Sequence, residues 1–73
     1  MSRIVSDPSI LGGKPIIEGT RISVEFILEC LASGMSEAEI LSEYSHLKKE
    51  DIQACLKYAA DNIKNDVVIA ASR

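Results

Sequence analysis

A chain of 73 residues is one small domain, and a hydrophobic content of 47% is too high for a disordered protein. Such a chain buries only about 60% of the surface that its unfolded form exposes, so many domains of this size gain stability from oligomerisation or a partner. The formal net charge of −3 is uneven, because residues 22–47 contain five glutamates and no lysine or arginine. A polyanionic partner is therefore expected to avoid the middle third of the chain.

The cysteines and the hydropathy favour a reduced, non-membrane environment. Cys30 and Cys55 form no Cys-x-x-Cys pair and do not make a disulfide framework. No apolar run approaches the ~20 residues needed to cross a bilayer, and the N-terminus has no signal-peptide pattern. We predict a cytoplasmic protein whose thiols are reduced and lie on apolar faces.

Residues 3–22 predict a two-stranded β arm. A β-branched run at residues 3–5 ends at an Asp-Pro turn, and a second run at residues 15–18 begins with a proline, which the first position of a strand tolerates. The stretch "GGKPIIEGTRIS", residues 12–23, includes this second run and contains three glycines. Its spacing matches neither a P-loop nor a dinucleotide fingerprint, so we assign Gly12, Gly13 and Gly19 to turn geometry.

Residues 23–63 predict three helices. Ser23 is a candidate N-cap of the first helix, whose apolar stripe, widened by Phe26 and Cys30, ends at Gly34. Ser36 and Glu39 have the spacing of a capping box at the start of the second helix. That short helix is expected to direct Ile40, Leu41 and Tyr44 inward.

The third helix is predicted to start near Lys49, with Glu50 and Asp51 at its positive end. Its inward residues at helical spacing are Ile52, Cys55, Leu56, Ala59, Ala60 and Ile63. The spacing continues through Val67 and Ala70, so residues 64–73 are either a helix extension or a separate apolar tail. The resulting fold class is α+β, mainly α, with an N-terminal two-stranded β arm before a three-helix helix-turn-helix core. This arrangement is compatible with DNA binding without establishing it.

Three segments, "GGKPIIEGTRI", "GMSEAEILSEY" and "HLKKEDIQACLKYA", together resemble the family called domain of unknown function 433, over roughly residues 3–60. These small bacterial and archaeal proteins are understood as VapB-like antitoxins, often encoded beside a PIN-like ribonuclease toxin. The resemblance implies an antitoxin that binds and neutralises such a toxin, with autoregulation of its operon as a further role. The chain departs from the family where prolines and a Thr or Ser are usual, at Ser45, Lys48 and Lys49.

Candidate DNA-binding residues cluster at the start of the third helix. Gln53 and Lys57 share the outward face of this helix. Lys48 and Lys49 place two positive charges at the helix N-terminus, where they oppose the macrodipole, and such an unfavourable arrangement can mark a phosphate-contacting surface. The glutamates on the preceding helix and the acids at positions 50 and 51 argue against DNA binding, because their carboxylates would repel the phosphate backbone. The DNA-binding candidates are Arg21, Lys48, Lys49, Gln53 and Lys57.

Candidate toxin-binding residues are Arg21 and the apolar tail. The guanidinium of Arg21 suits the acidic catalytic pocket of a nuclease toxin. The alternative role for Arg21 is a structural salt bridge to Glu18 or Glu25. The tail either binds the toxin or extends the third helix into a homodimer interface. The toxin-binding candidates are Arg21, Val67, Val68, Ile69 and Arg73.

No catalytic set can be named from the sequence, so an enzyme is not expected, and neither is a cofactor. His46 has no second histidine or cysteine at metal-ligand spacing, so no metal site is expected. Two alternatives to the antitoxin stand: a stand-alone helix-turn-helix transcriptional repressor, and a homodimeric interaction module without a nucleic-acid role. A dimer is the expected oligomeric state.

Overall fold

The chain folds as a short antiparallel β arm followed by three helices. The computed structural model describes residues 3–66, and every structural statement below concerns that range. The elements are β1 (Ile4–Ser6), β2 (Pro15–Ile17), α1 (Val24–Ala32), α2 (Glu37–Glu43) and α3 (Lys49–Asp66), and a single 3-10 turn (Leu11–Gly13) lies between the two strands. The predicted α+β class, mainly helical and with the β arm first, is confirmed.

Backbone pairing and a glycine-rich tip hold the β arm in register. Ser6 pairs with Pro15 in an antiparallel ladder, and two further pairs follow toward the arm's base. Gly12, Gly13 and Gly19 have φ angles of 68°, 89° and 82°. Glycine enters this left-handed region without the steric cost that a Cβ atom brings. The prediction that these glycines serve turn geometry is therefore confirmed.

Side-chain caps fix the starts of the first two helices, as predicted. The Ser23 hydroxyl oxygen accepts the Phe26 N–H at 2.9 Å, which satisfies a donor that the first turn of α1 leaves free. At α2 the Ser36 hydroxyl accepts the Glu39 N–H at 3.1 Å, and the Glu39 carboxylate accepts the Ser36 N–H at 2.8 Å. This reciprocal pair is the capping box.

A Schellman motif ends α1 at the predicted position. Gly34 has a φ angle of 105° and follows the capping residue Ser33. Its N–H donates to the Leu31 carbonyl, and the Met35 N–H donates to the Cys30 carbonyl, both at 3.1 Å. These two bonds satisfy carbonyls that would otherwise lack a partner at the helix end.

Asp51 closes the start of α3 and ties this helix to the β arm. Its carboxylate accepts the Lys48 N–H at 2.9 Å, which is the bond that the third helical residue supplies in a capping box, and it accepts the Arg3 guanidinium at 2.7 Å. Only 6% of Asp51 is exposed. Because Arg3 neutralises this buried charge, Asp51 adds little to the repulsion of DNA that the sequence led us to expect, and only the exposed Glu50 keeps that role.

The core is aliphatic and lies where β2 and the three helices meet. Ile52 and Cys55 are fully buried and confirm the inward face of the first two turns of α3. The buried cluster comprises Ile17, Val24, Ile27, Ile40, Leu47, Ile52 and Cys55. Leu41 and Tyr44 pack against it while remaining partly exposed, so the inward face of α2 is as predicted.

From Leu56 onward, α3 departs from the predicted inward pattern. Leu56 is 46% exposed, Ile63 is 57% exposed and Ala60 is also exposed, so their assignment to the core was wrong. With 18 residues, α3 is about 27 Å long, whereas the nine residues of α1 span about 13 Å. The helix therefore runs past the elements that cover it. Within residues 3–66 no helix is both long and apolar enough to span a bilayer.

Candidate binding surfaces

An open groove, here called the Phe26 groove, lies between the tip of the β arm, α1 and the end of α2. Phe26 is 39% exposed, and its ring meets that of Tyr44 edge to face, with 5.6 Å between centroids. The groove has a volume of about 670 Å³, which is enough to accept several side chains of a partner. Its lining comprises Leu11, Lys14, Arg21, Ile22, Ser23, Glu25, Phe26, Glu29 and Tyr44.

Leu11 stands on the wall of this groove in a backbone conformation that leucine rarely adopts. Its φ angle is 51°, in the left-handed region, which costs an L-residue roughly 1–2 kcal/mol. Leu11 is 44% exposed, so the burial of its side chain offsets only part of that free-energy cost. Backbone strain that is kept at an exposed position is typical of binding sites. The strain at Leu11 therefore points to the Phe26 groove as a contact surface.

Arg21 is presented at the same groove by a hydrogen-bonded loop between β2 and α1. The Thr20 hydroxyl donates to the Ile17 carbonyl at 2.7 Å and accepts the Ile22 N–H at 2.9 Å. The Ile17 N–H in turn donates to the Ile22 carbonyl at 2.9 Å. These bonds fix the backbone on both sides of Arg21, whose own side chain is exposed.

The guanidinium of Arg21 has no ion pair in the described part of the chain. None of the salt bridges among residues 3–66 includes it, and Glu25 binds Lys14 at 3.0 Å instead. The predicted alternative, a structural pair with Glu18 or Glu25, is therefore not formed. Two hydrogen bonds from Ser9, and to a smaller degree the attraction of Arg21, hold the pKa of the Asp7 carboxyl below its usual range. Arg21 is thus free to pair with a partner's carboxylate.

Glu25 and Glu29 form an acidic ridge along α1 that borders the Phe26 groove. The acidic character continues on α2, where Glu43 is exposed and Glu37 is half-buried. Within residues 3–66 neither of these α2 carboxylates takes part in a salt bridge. A surface of this charge attracts a basic partner and repels a phosphate backbone.

A second, more apolar groove, here called the α1–α3 groove, lies on the other side of the acidic ridge. It has a volume of about 460 Å³. Helix α1 contributes one wall, α3 the other, and the start of β2 closes one end. The lining comprises Lys14, Pro15, Val24, Glu25, Leu28, Glu29, Ala32, Tyr58 and Ala59.

The predicted DNA-binding residues of α3 lie on one exposed face. Lys49, Gln53 and Lys57 are spaced by four residues, which places them on a single side of the helix, and Lys48 is exposed just before it. Lys57 is also paired with Asp61 at 3.1 Å, which reduces its free charge. Arg21 lies at the Phe26 groove, on a different element, and does not belong to this face.

The described residues offer no metal-binding cluster, since no three His, Cys, Asp or Glu side chains in range 3–66 lie close enough together. His46 is exposed in the connection between α2 and α3. Burial, with a smaller contribution from the nearby Asp51 carboxylate, raises the pKa of the Cys55 thiol to about 11. A protonated, buried thiol is a packing residue rather than a nucleophile at neutral pH.

Sequence reasoning missed the Phe26 groove, although the sequence carries a signal for it. At 100° per residue, Phe26 lies far from the stripe of Val24, Ile27 and Leu31 around α1, so it points away from the core. The predicted toxin-binding residues Val67, Val68, Ile69 and Arg73 lie outside the described range.

These features define the class of protein: a small α+β domain with two open grooves on either side of an acidic ridge. The chain belongs to the family described as protein of unknown function (DUF433), whose sequence profile matches residues 4–59. The predicted family resemblance is thereby confirmed.

A solved structure and a curated relative resemble the chain. The crystal structure of a DUF433 member protein from Anabaena variabilis has a TM-score of 0.82 and 29% identity, over 89% of this chain and 64% of that one. The uncharacterized protein y4eO of Sinorhizobium fredii is 36% identical over 59 residues, which is 81% of this chain and 27% of the relative. The chain thus spans about a quarter of the curated relative and just under two thirds of the solved chain.

Proposed function

We propose that the chain is the antitoxin of a type II toxin–antitoxin pair, which binds and neutralises a PIN-like ribonuclease in the cytoplasm. One observation carries the proposal: Arg21, whose flanking backbone is fixed and which has no ion pair among residues 3–66, stands at an open aromatic groove beside an acidic ridge. A groove of this kind suits a protein partner, because apolar centres with charged rims are typical of such interfaces.

The charges of this surface match the two surfaces expected of a ribonuclease. An enzyme that binds RNA carries basic side chains against the phosphates, and Glu29 and Glu43 complement such a surface. Glu25 adds less, because its carboxylate is already paired with Lys14 at 3.0 Å. The catalytic pocket of a PIN-like nuclease is acidic, and a guanidinium fork binds carboxylates well. Arg21 therefore suits the catalytic pocket, while the acidic ridge suits the RNA-binding surface around it.

Binding of the nuclease encoded by the adjacent gene tests this proposal. Arg21→Glu is expected to weaken binding at least about tenfold, since a favourable pair becomes a repulsion. Lys49→Glu makes the same charge change at an exposed position that lines neither groove, and should leave affinity within about twofold. The proposal fails if the folded wild-type chain has no affinity for that nuclease, or if the two variants behave alike.

A stand-alone repressor is the second candidate, favoured by the shared exposed face of Lys49, Gln53 and Lys57. It predicts operator binding that weakens steeply with salt and is lost in a Lys48→Glu, Lys49→Glu double variant. Unchanged DNA affinity in that variant would exclude this face. If promoter DNA is retarded neither by the chain alone nor by its complex with the nuclease, the repressor and autoregulation are both excluded. For a chain that also has no affinity for the nuclease, this result favours a homodimeric interaction module without a nucleic-acid role.

A further inference from the structure

Three exposed apolar residues of α3 line neither of the two grooves. Leu56 and Ile63 are 46% and 57% exposed, and Ala60 lies between them, also exposed. The neighbouring Ala59 is half-buried and lines the α1–α3 groove, so the exposed residues are continuous with that groove. At helical spacing, Leu56, Ala59, Ala60 and Ile63 occupy one side of the helix, here called the α3 stripe.

The pattern of large and small residues along the α3 stripe is the same in both chain directions. Its pattern is large-x-x-small-small-x-x-large, with Leu56 and Ile63 at the ends and Ala59-Ala60 at the centre. A two-fold axis that crosses the helix between the alanines exchanges the two large residues. This is the self-complementarity that an isologous contact requires, in which residue i meets residue j and j meets i.

We propose that α3 pairs antiparallel with α3 of a second copy of this chain, about a two-fold axis at Ala59-Ala60. Leu56 of each copy packs against Ile63 of the other, while the small central residues allow the two helices to approach closely. This inference stands independently of the nuclease proposal, because the stripe lies apart from Arg21 and the Phe26 groove.

The charges beside the stripe set the salt dependence of the pairing. Lys57 and Lys64 flank the stripe on one side, and a two-fold axis brings like flanks together. The ion pair of Lys57 with Asp61 at 3.1 Å limits the resulting repulsion. Added salt therefore leaves the dimer unchanged or strengthens it, whereas it weakens any contact with a polyanion.

The size of the stripe sets the affinity. From Leu56 to Ile63 the helix advances only about 10 Å, and a standard interface buries ~800 Å² on each partner. Even when the adjoining α1–α3 groove is included, the area buried by this contact is smaller than that of a standard interface. We expect a dissociation constant in the range of tens of micromolar, and hence a monomer–dimer equilibrium rather than an obligate dimer.

Sedimentation equilibrium of the full chain, from about 10 to about 500 μM, tests the proposal across that range. The wild type is expected to move from monomer to dimer, equally or more so at higher salt. Ile63→Glu is expected to stay monomeric. Asn62→Glu adds the same charge one residue away and off the stripe, and should dimerise as the wild type does. Far-UV circular dichroism verifies that both variants keep their helices.

Disulfide trapping gives a second, geometric readout. Ala60→Cys places thiols beside the two-fold axis and should form a covalent dimer on mild oxidation. Lys57→Cys, which lies off the stripe, should not. The wild type serves as a control for oxidation of the native Cys30. A monomer at every concentration, or a dimer that Ile63→Glu leaves intact, overturns the proposal. So does a monomer whose binding to the nuclease is lost in Ile63→Glu, since the stripe would then belong to the nuclease.

Discussion

At the scale of single residues, the buried carboxylate of Asp51 connects two parts of the fold. It accepts the N–H of Lys48, which begins α3, and the guanidinium of Arg3, which lies 48 positions earlier in the chain. The first contact could have been inferred from local sequence, since an acid three residues after a helix start can cap it. The second could not, because no local pattern shows which β-arm residue reaches α3.

Asp51→Ala is expected to destabilise the fold by about 2 kcal/mol. Loss of the cap costs about 1 kcal/mol, and loss of the partly buried ion pair adds a similar amount. Chemical unfolding measures the difference. Lys57→Ala breaks the exposed pair with Asp61 and should change stability by less than about 0.5 kcal/mol. Equal effects of the two substitutions would show that the Arg3–Asp51 contact does not stabilise the fold.

The raised pKa of Cys55 predicts a loss of stability in alkali. Burial raises the pKa of the folded thiol to about 11, whereas the unfolded thiol keeps its ordinary pKa of 9.0, so the unfolded chain releases its proton first as pH rises. The contribution of the Cys55 thiol to the free energy of unfolding is intact below pH 9 and declines between pH 9 and 11, with a loss on the order of 1 kcal/mol at pH 10.

Comparison with Cys55→Ala isolates this effect from the titration of lysines and tyrosines, which both proteins share. The free energy of unfolding of the wild type, measured relative to that of the variant, should fall between pH 8 and pH 10. A constant difference over this range would contradict the assignment of the raised pKa to the Cys55 thiol.

At the scale of elements, the starts and ends of the helices were the most predictable features. The caps at Ser23, Ser36 and Gly34 all stand where the sequence placed them, because capping depends on residues within one turn. Burial along α3 was less predictable. Periodicity shows which residues share a face, but the cover over that face depends on the length and position of other elements, and α1 and α2 are too short to reach Ile63.

Ser36→Ala is expected to cost about 1 kcal/mol of stability, because the Glu39 N–H loses its acceptor at the start of α2. Ser42→Ala makes the same chemical change at an exposed position within α2 and should be neutral or slightly stabilising, since alanine is the better helix former. Thermal unfolding of the two variants checks the prediction. Similar losses at both positions would argue that the capping box contributes nothing specific.

At the scale of the whole molecule, the candidate site combines elements that the sequence keeps apart. Leu11 comes from the tip of the β arm, Arg21 from the loop after β2, Phe26 from α1 and Tyr44 from the end of α2. Sequence analysis singled out Arg21 from this set, because a family resemblance directed attention to it. The groove beside it follows from tertiary packing and from an outward-facing aromatic residue on α1.

Leu11→Asn separates the contact role of the groove from its structural role. Asparagine tolerates the left-handed conformation that strains leucine, so the thermal stability of the variant should not fall. Its affinity for the nuclease should fall, because an exposed apolar contact is removed from the groove wall. Unchanged affinity would exclude Leu11 from the interface.

Inhibition of RNA cleavage tests the proposed antitoxin activity most directly. The nuclease encoded next to this gene is incubated with an RNA substrate and increasing amounts of the purified chain. We predict that cleavage falls to background once the folded wild-type chain is in excess, and that Arg21→Glu at the same concentration leaves cleavage largely intact. Undiminished cleavage in the presence of excess folded wild-type chain would contradict the account.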